Sequence, residues 1–163
     1  MLQEKQIKIL MLMHELEETL AEIYRLFSEK IPGHDPLWQT LIKQEQEHAE
    51  AVRTLYRLTY EKGSVFEEAD LRAEGVRTVI DYIRGIIDAT RLGRVGELQA
   101  LTAAHDIEKS MIERDLFAYF KVRPEFADTL KYLHDSSYDH IELTKKELEK
   151  VLKRSQPKPL RSH

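Results

Sequence analysis

The feature of this sequence that most constrains its fold is a set of long segments in which apolar residues recur every three to four positions. This spacing places the apolar side chains on one face of an α-helix. The 163 residues include only six Gly and five Pro, which favours long helices with few turns, and no segment alternates as a strand would. We therefore predict an all-α fold, with long helices at about 2–30, 36–62, 94–121 and 124–152 and a shorter one at about 71–92.

The positions of the helix-breaking residues predict how the helices are connected. The sequence IPGHDP follows the first helix and VRPEF follows the helix at 94–121, so both loops are short and each should join an antiparallel helix pair. The stretch at 71–92, which ends at Gly93, then carries the chain from one pair to the other. Two helix pairs joined by one long crossover is the connectivity of ferritin-like four-helix bundles. We predict one such domain at residues 1–152, followed by a flexible basic tail at 153–163.

Composition excludes several classes of site. The chain has no Cys, so disulfides, a thiolate nucleophile and Cys-ligated metals are excluded. A net charge of -4 without a basic face argues against nucleic acid as a partner. No apolar run is long enough to span a membrane and no signal peptide is recognisable, so we expect a cytoplasmic protein without a membrane partner.

On each of the four long helices, polar residues interrupt the apolar stripe near its middle. An ionised carboxylate buried without a partner is very unfavourable, so several of them in one core require a compensating positive charge. A pair of divalent cations can supply it. Carboxylate and imidazole ligands suit iron or manganese, and zinc is a further candidate. The interrupting residues, in chain order, are Glu17, Glu45, His48, His105, Glu108, Ser137 and His140.

An internal repeat supports this interpretation. The segment HELEETLAE, which contains Glu17, matches HDIEKSMIE, which contains Glu108, with His and Glu at the same offsets. Glu45 lies 28 residues after Glu17, and a His follows it after three residues. Ser137 lies 29 residues after Glu108, and a His again follows after three. The repeat predicts two similar metal positions related by a pseudo-two-fold axis.

These segments resemble a known family. LEETLAEIYRLF with LIKQEQEHAE resembles the first half of a rubrerythrin-type ferritin-like domain, and DIEKSMIERDLF with YLHDSSYDHIEL resembles the second half. The resemblance covers about residues 8–150. It implies a di-iron protein that reduces dioxygen or peroxide or handles iron, with a rubredoxin-like protein as external electron donor. The ligands that it implies are Glu17, Glu45 and His48 from the first half and Glu108 and His140 from the second.

The sequence departs from the family pattern in three places. The second E-x-x-H motif of the family would place a bridging Glu at position 137, and this chain has Ser137, so we expect the second metal position to be weak or open. Met111 stands where some rubrerythrins have an additional Glu, and there is no Cys-rich rubredoxin segment. Three other residues are alternative ligands or hydrogen-bond partners of the ligands: His14, His105 and His134.

Two other functions remain open at this point. The chain could bind metal as a sensor or buffer without turnover, or it could be a structural or interaction bundle with a vestigial site. Tyr24 is expected to pack near the site, and His34 has no predicted role. Outer apolar residues such as Phe66 and Val76, together with the crossover, favour a homodimer.

Overall fold

The computed structural model describes residues 2–62, 73–113, 124 and 127–155. This part of the chain forms five α-helices and contains no strand. None of these helices has a stretch both long and apolar enough to cross a bilayer. The all-α prediction is confirmed for the described residues. The helices are α1 (Leu2–Lys30), α2 (Asp35–Lys62), α3 (Ala73–Arg91), α4 (Glu97–Glu113) and α5 (Ala127–Ser155).

Two glycines with positive φ mark the turns that the sequence predicted. Gly33 has φ 99° in the short loop between α1 and α2. Gly93 has φ 67°, and its N–H donates to the carbonyl of Thr90 at 2.9 Å while the N–H of Arg94 donates to that of Ala89, also at 2.9 Å. This pattern of two backbone hydrogen bonds closes the end of α3, and Gly adopts the required left-handed conformation without a Cβ penalty.

Helices α1 and α2 form the first antiparallel pair. The ring of Tyr24, late in α1, stacks 6.0 Å from that of Trp38, early in α2. Nearer the middle of both helices, Glu17 Oε2 lies 3.6 Å from His48 Nδ1. Residues late in α1 therefore contact residues early in α2, as expected for two antiparallel helices joined by a four-residue loop.

Helices α4 and α5 form the second antiparallel pair. Arg154, at the end of α5, donates to Glu97, at the start of α4, at 2.8 Å. Nearer the middle of both helices, Glu108 Oε2 on α4 lies 3.3 Å from His140 Nδ1 on α5. Helix α5 ends at Ser155, beyond the predicted end at 152. Position 121, the predicted end of the helix at 94–121, lies outside the described residues, and so does position 163, the predicted end of the tail.

Helix α3 lies alongside α1 and runs in the same direction. Arg84 donates to Glu15 at 2.8 Å, and Arg91 donates to Glu22 at 2.6 Å. Residues later in α3 therefore contact residues later in α1. The apolar stripe of α3 is buried against the core: Val76, Val79, Ile80, Ile83 and Ile87.

The burial of Val76 corrects one sequence prediction. Val76 was expected on an outer face and is only 2% exposed, because the apolar stripe of α3 faces α1. Val76 therefore gives no support to a homodimer, and Phe66 lies outside the described residues.

Two apolar clusters enclose the middle of the helices. One surrounds Tyr24, Trp38 and Ile80, and the other joins Leu10, Val52 and Leu133. Between them, at mid-height, the inward faces of α1, α2, α4 and α5 carry polar side chains that are also buried.

Candidate metal centre

Five residues that the sequence singled out meet between the helices at this height. They come from four helices, and none is more than 2% exposed. Burial of three carboxyl groups and two imidazoles together is costly unless charges compensate one another. The five residues are Glu17, Glu45, His48, Glu108 and His140.

The first half of the group is built around His48. Its Nδ1 lies 3.1 Å from Glu45 Oε2, one helical turn earlier on α2, and 3.6 Å from Glu17 Oε2 on α1. The three-residue spacing of Glu45 and His48 places both side chains on the same face of α2, as the sequence predicted.

The second half is built around His140. Its Nδ1 lies 3.1 Å from Glu45 Oε1 and 3.3 Å from Glu108 Oε2. The carboxylate of Glu45 therefore stands between the two imidazoles and presents one oxygen to each. The rings of His48 and His140 stack with centroids 5.2 Å apart.

The distances within this group match those between ligands of a single ion. Two atoms bound at about 2.1 Å from one ion are roughly 3.0 to 3.4 Å apart for bond angles between 90° and tetrahedral. Three of the four nitrogen–oxygen distances, 3.1, 3.1 and 3.3 Å, lie within this range. The fourth, between Glu17 and His48, is longer at 3.6 Å. Glu45, His48 and His140 also offer ligand atoms that all lie within 4.8 Å of one another, so this buried set could hold a metal ion.

Two buried carboxylate oxygens lack hydrogen bonds, which also fits a metal. Glu17 Oε2 and Glu45 Oε1 accept no hydrogen bond from the part of the chain that the structure describes. Glu45 Oε1 is 3.1 Å from His140 Nδ1 but without the alignment of a hydrogen bond. A buried oxygen left in this way is unfavourable, and a cation placed between the oxygen and the imidazole would satisfy it.

Without a metal, protons supply the positive charge. Burial disfavours charged imidazoles, but the facing carboxylates Glu17 and Glu45 outweigh it and raise the pKa of His48 to about 10. Burial is likewise outweighed at His140, where the charges of Glu108 and Glu45 raise the pKa to about 11. Both imidazoles are therefore cationic at neutral pH, so this group of side chains requires positive charge at the two places where Nδ1 faces carboxylates.

The three carboxyl groups respond differently to the same surroundings. Burial raises the pKa of Glu17 to about 8, although His48 opposes the shift. Burial and the charge of Glu45 also raise the pKa of Glu108. Burial acts to raise the pKa of Glu45 too, but the two imidazolium groups outweigh it and hold that pKa below its usual value. Glu45 is thus the carboxylate that stays ionised between two cations.

The outward nitrogens of the two imidazoles have partners that the sequence analysis missed. His48 Nε2 lies 2.5 Å from Ser136 Oγ on α5, and His140 Nε2 lies 3.0 Å from Gln44 Oε1 on α2. Each partner immediately precedes a residue that the sequence stripe had singled out. Since one residue turns a helix by about 100°, neither position belongs to the stripe itself.

Tyr24 also reaches the group. Its hydroxyl donates a hydrogen bond to Glu108 Oε1, and its ring is fully buried. This agrees with its predicted place near the site. Burial and the charge of Glu108 raise the pKa of Tyr24 well above its usual value, so the phenol keeps its proton.

The structure does not bring the alternative residues into the buried group. His14 is 31% exposed and lies 3.5 Å from Glu18, and His134 is 44% exposed and lies 3.3 Å from Asp135. Each precedes a stripe residue by three positions, which rotates it by about 60° from the stripe, and here that rotation leads towards solvent. His105 is half-buried, with Nδ1 3.3 Å from Thr144 Oγ1. Ser137 is buried, and its hydroxyl donates to the carbonyl of Leu133 at 2.8 Å.

His34, for which the sequence predicted no role, is buried at one end of the α4–α5 pair. Its Nδ1 lies 2.8 Å from Glu147 Oε1, and its Nε2 lies 2.7 Å from Glu97 Oε1. Each ring nitrogen of His34 therefore lies within hydrogen-bond distance of a carboxylate oxygen. The α1–α2 loop is thereby tied to both helices of the second pair, away from the candidate metal centre.

Comparison with family models, curated proteins and solved structures found no match for this chain.

Proposed function

We propose that this chain is a ferritin-like, rubrerythrin-type protein that holds two iron ions between α1, α2, α4 and α5 and uses them in iron handling or in the reduction of dioxygen or peroxide. The observation that carries the proposal is the position of Glu45, whose two oxygens lie 3.1 Å from the Nδ1 atoms of two different imidazoles. A carboxylate in this position could hold a cation at each of its two oxygens.

Two positions follow from the contacts. Glu17, Glu45 and His48 surround the first, and Glu45, Glu108 and His140 surround the second. The sequence predicted a complete first position and a weak second one, because Ser137 replaces a carboxylate. In the proposal each position has three candidate protein ligands, and Glu45 belongs to both.

The donor set favours iron or manganese, and zinc is compatible with it. It contains carboxylates and imidazoles and no thiolate, which suits these metals. With three protein ligands each, two iron ions would keep coordination sites for an oxidant and could supply two electrons to it. Re-reduction then requires an external donor protein.

The residues of the chain supply positioning and exclusion of water. The apolar clusters on both sides keep the group dry, which strengthens the interaction of the carboxylates with a cation. The Tyr24 hydroxyl donates to Glu108 Oε1 and leaves Oε2, the oxygen near His140, for the metal. Tyr24 therefore orients this carboxylate.

A second function is metal binding without turnover, as in a sensor or buffer. It is favoured by Ser137, because its hydroxyl is engaged with a backbone carbonyl and offers no second bridging carboxylate. The two functions predict the same metal content and differ in reactivity.

The decisive experiment is an anaerobic titration of the metal-free protein with Fe²⁺, followed by mixing with hydrogen peroxide. We expect two ions per chain. Because Glu45 is shared, Glu45→Gln should weaken both, whereas Glu17→Gln should weaken one. Glu50→Gln is the matched control on α2, since Glu50 is exposed.

The outcomes separate the functions. Oxidation of the bound iron by peroxide much faster than that of free Fe²⁺ supports the oxidoreductase. Two tightly bound ions that oxidise no faster than free iron support the sensor or buffer. If the wild type takes up no metal, the site is vestigial. If Glu45→Gln binds as much metal as the wild type, the metal binds elsewhere. Either result refutes the proposal.

A further inference from the structure

Helices α2 and α5 are joined by two reciprocal hydrogen bonds beside the candidate metal centre. Helix α2 supplies His48, and its partner Ser136 is on α5. Helix α5 supplies His140, and its partner Gln44 is on α2. Each helix thus contributes one imidazole and the acceptor for the imidazole of the other helix.

The direction of both hydrogen bonds follows from the chemistry of the partners. The Ser136 hydroxyl donates its one hydrogen to the backbone carbonyl of Tyr132 at 2.8 Å, so towards His48 its oxygen can only accept. The side-chain carbonyl of Gln44 likewise can only accept. Both His48 and His140 therefore carry a hydrogen on Nε2. Nδ1 faces the carboxylates, and it is the nitrogen whose proton a metal would replace.

We infer that Ser136 and Gln44 are positioning residues that fix Nδ1 as the metal-binding atom of His48 and His140, respectively. The inference rests on the proposed function, since it assigns partners to the ligands of that site. A metal-bound imidazole whose other nitrogen donates a hydrogen bond is held in one tautomer and one ring orientation. Ser136 should therefore act on the ion beside Glu17, and Gln44 on the ion beside Glu108.

The two positions should consequently differ. Ser136 is a buried hydroxyl, only 5% exposed, whereas Gln44 is a half-buried amide. The hydrogen on His48 Nε2 is more shielded from water than the hydrogen on His140 Nε2. Exchange of these two hydrogens with solvent should therefore proceed at different rates.

Titration of the full-length, metal-free protein with Co²⁺ tests the inference. The imidazole N–H groups of histidines bound to Co²⁺ give strongly shifted proton resonances, so the loaded wild type should show two exchangeable ones. Ser136→Ala should remove or broaden the slower-exchanging resonance, and Gln44→Met the faster. Each should weaken one of the two ions by about 10- to 100-fold.

Matched controls lie beside each residue. Ser137→Ala removes a neighbouring buried hydroxyl that donates only to the carbonyl of Leu133, and Gln46→Met changes an exposed amide on α2. Neither should alter the shifted resonances. Ser136→Thr and Gln44→Glu keep an acceptor oxygen and should restore the affected resonance, which a general loss of helix packing would not allow.

Failure of the inference is distinguishable from failure of the proposed function. If the wild type binds two Co²⁺ ions but Ser136→Ala and Gln44→Met keep both resonances and both affinities, the positioning role is refuted and the metal site stands. If the wild type binds no Co²⁺, both ideas fall. Equal effects of Ser137→Ala and Ser136→Ala would also refute the positioning role.

Discussion

Removal of the metal should make the stability of this protein fall as the pH rises from 7 to 9. In the metal-free fold His48 and His140 have pKa values of about 10 and 11, against 6.5 for an ordinary histidine. A pKa that is raised by folding stabilises the fold fully below the unfolded value. That stability is lost as the pH rises towards the folded value, so the loss spans pH 6.5 to about 10 or 11.

The size of the effect follows from the number of protons. Between pH 7 and 9 the folded state holds about two protons, on His48 and His140, that the unfolded chain has released. Each proton changes the free energy of unfolding by about 1.4 kcal/mol per pH unit, so two protons give a slope of about 3 kcal/mol per unit. Glu17 adds to the slope below its pKa of about 8, because it too keeps a proton that the unfolded chain loses. Between pH 7 and 9 the loss is about 6 kcal/mol, a large part of the roughly 5 to 15 kcal/mol by which whole domains are stable.

Urea denaturation in the presence of a chelator measures this slope. The single Trp, Trp38, is fully buried and its fluorescence reports unfolding. In the metal-loaded protein an ion takes the place of the proton on each Nδ1, so the free energy of unfolding should be nearly flat over the same range. A metal-free protein whose stability is constant or rises between pH 7 and 9 would refute the reasoning.

Three further predictions concern separate contacts. His34→Leu removes the side-chain contacts with Glu97 and Glu147, so it should destabilise the fold by about 2 to 3 kcal/mol in urea denaturation without changing the Fe²⁺ stoichiometry; a lower stoichiometry would contradict the separation of these contacts from the metal centre. Tyr24→Phe removes the donor to Glu108 and should cost about 1 to 2 kcal/mol in chelator, and an unchanged midpoint would contradict the hydrogen bond. Gly93→Ala forces a Cβ into the left-handed region and should cost about 1 to 2 kcal/mol, whereas Gly85→Ala, inside α3 with open space around it, should stabilise by about 0.5 to 1 kcal/mol. Thermal unfolding of this pair checks the opposite signs, and equal signs would contradict the backbone argument.

Periodicity predicted the helices and the residues that line their common interior. The bounds of α1 agree with the prediction, and the stripe of α3 from Val76 to Ile87 is buried as expected for a helix with one apolar face. Glu17, Glu45 and His140 were identified because a polar residue on an apolar stripe must face its neighbours. The spacing of residues along one helix is sufficient for that inference.

The contacts between helices could not be predicted in the same way. Whether Glu45 faces one imidazole or two depends on the relative rotation and height of α2 and α5, and no periodicity within one helix specifies these. Gln44 and Ser136 lie off the stripe, so they reach the site only because the two helices approach closely there. His34 is in a loop, where the conformation follows from tertiary contacts with Glu97 and Glu147.

Anomalous diffraction from crystals of the protein loaded anaerobically with Fe²⁺ tests the central proposal most directly. We predict two peaks per chain, about 3.5 to 4 Å apart, one between Glu17 and His48 and one between Glu108 and His140, with the carboxylate of Glu45 between them. A single peak shared by the two imidazoles, or no peak among these residues, would contradict the account.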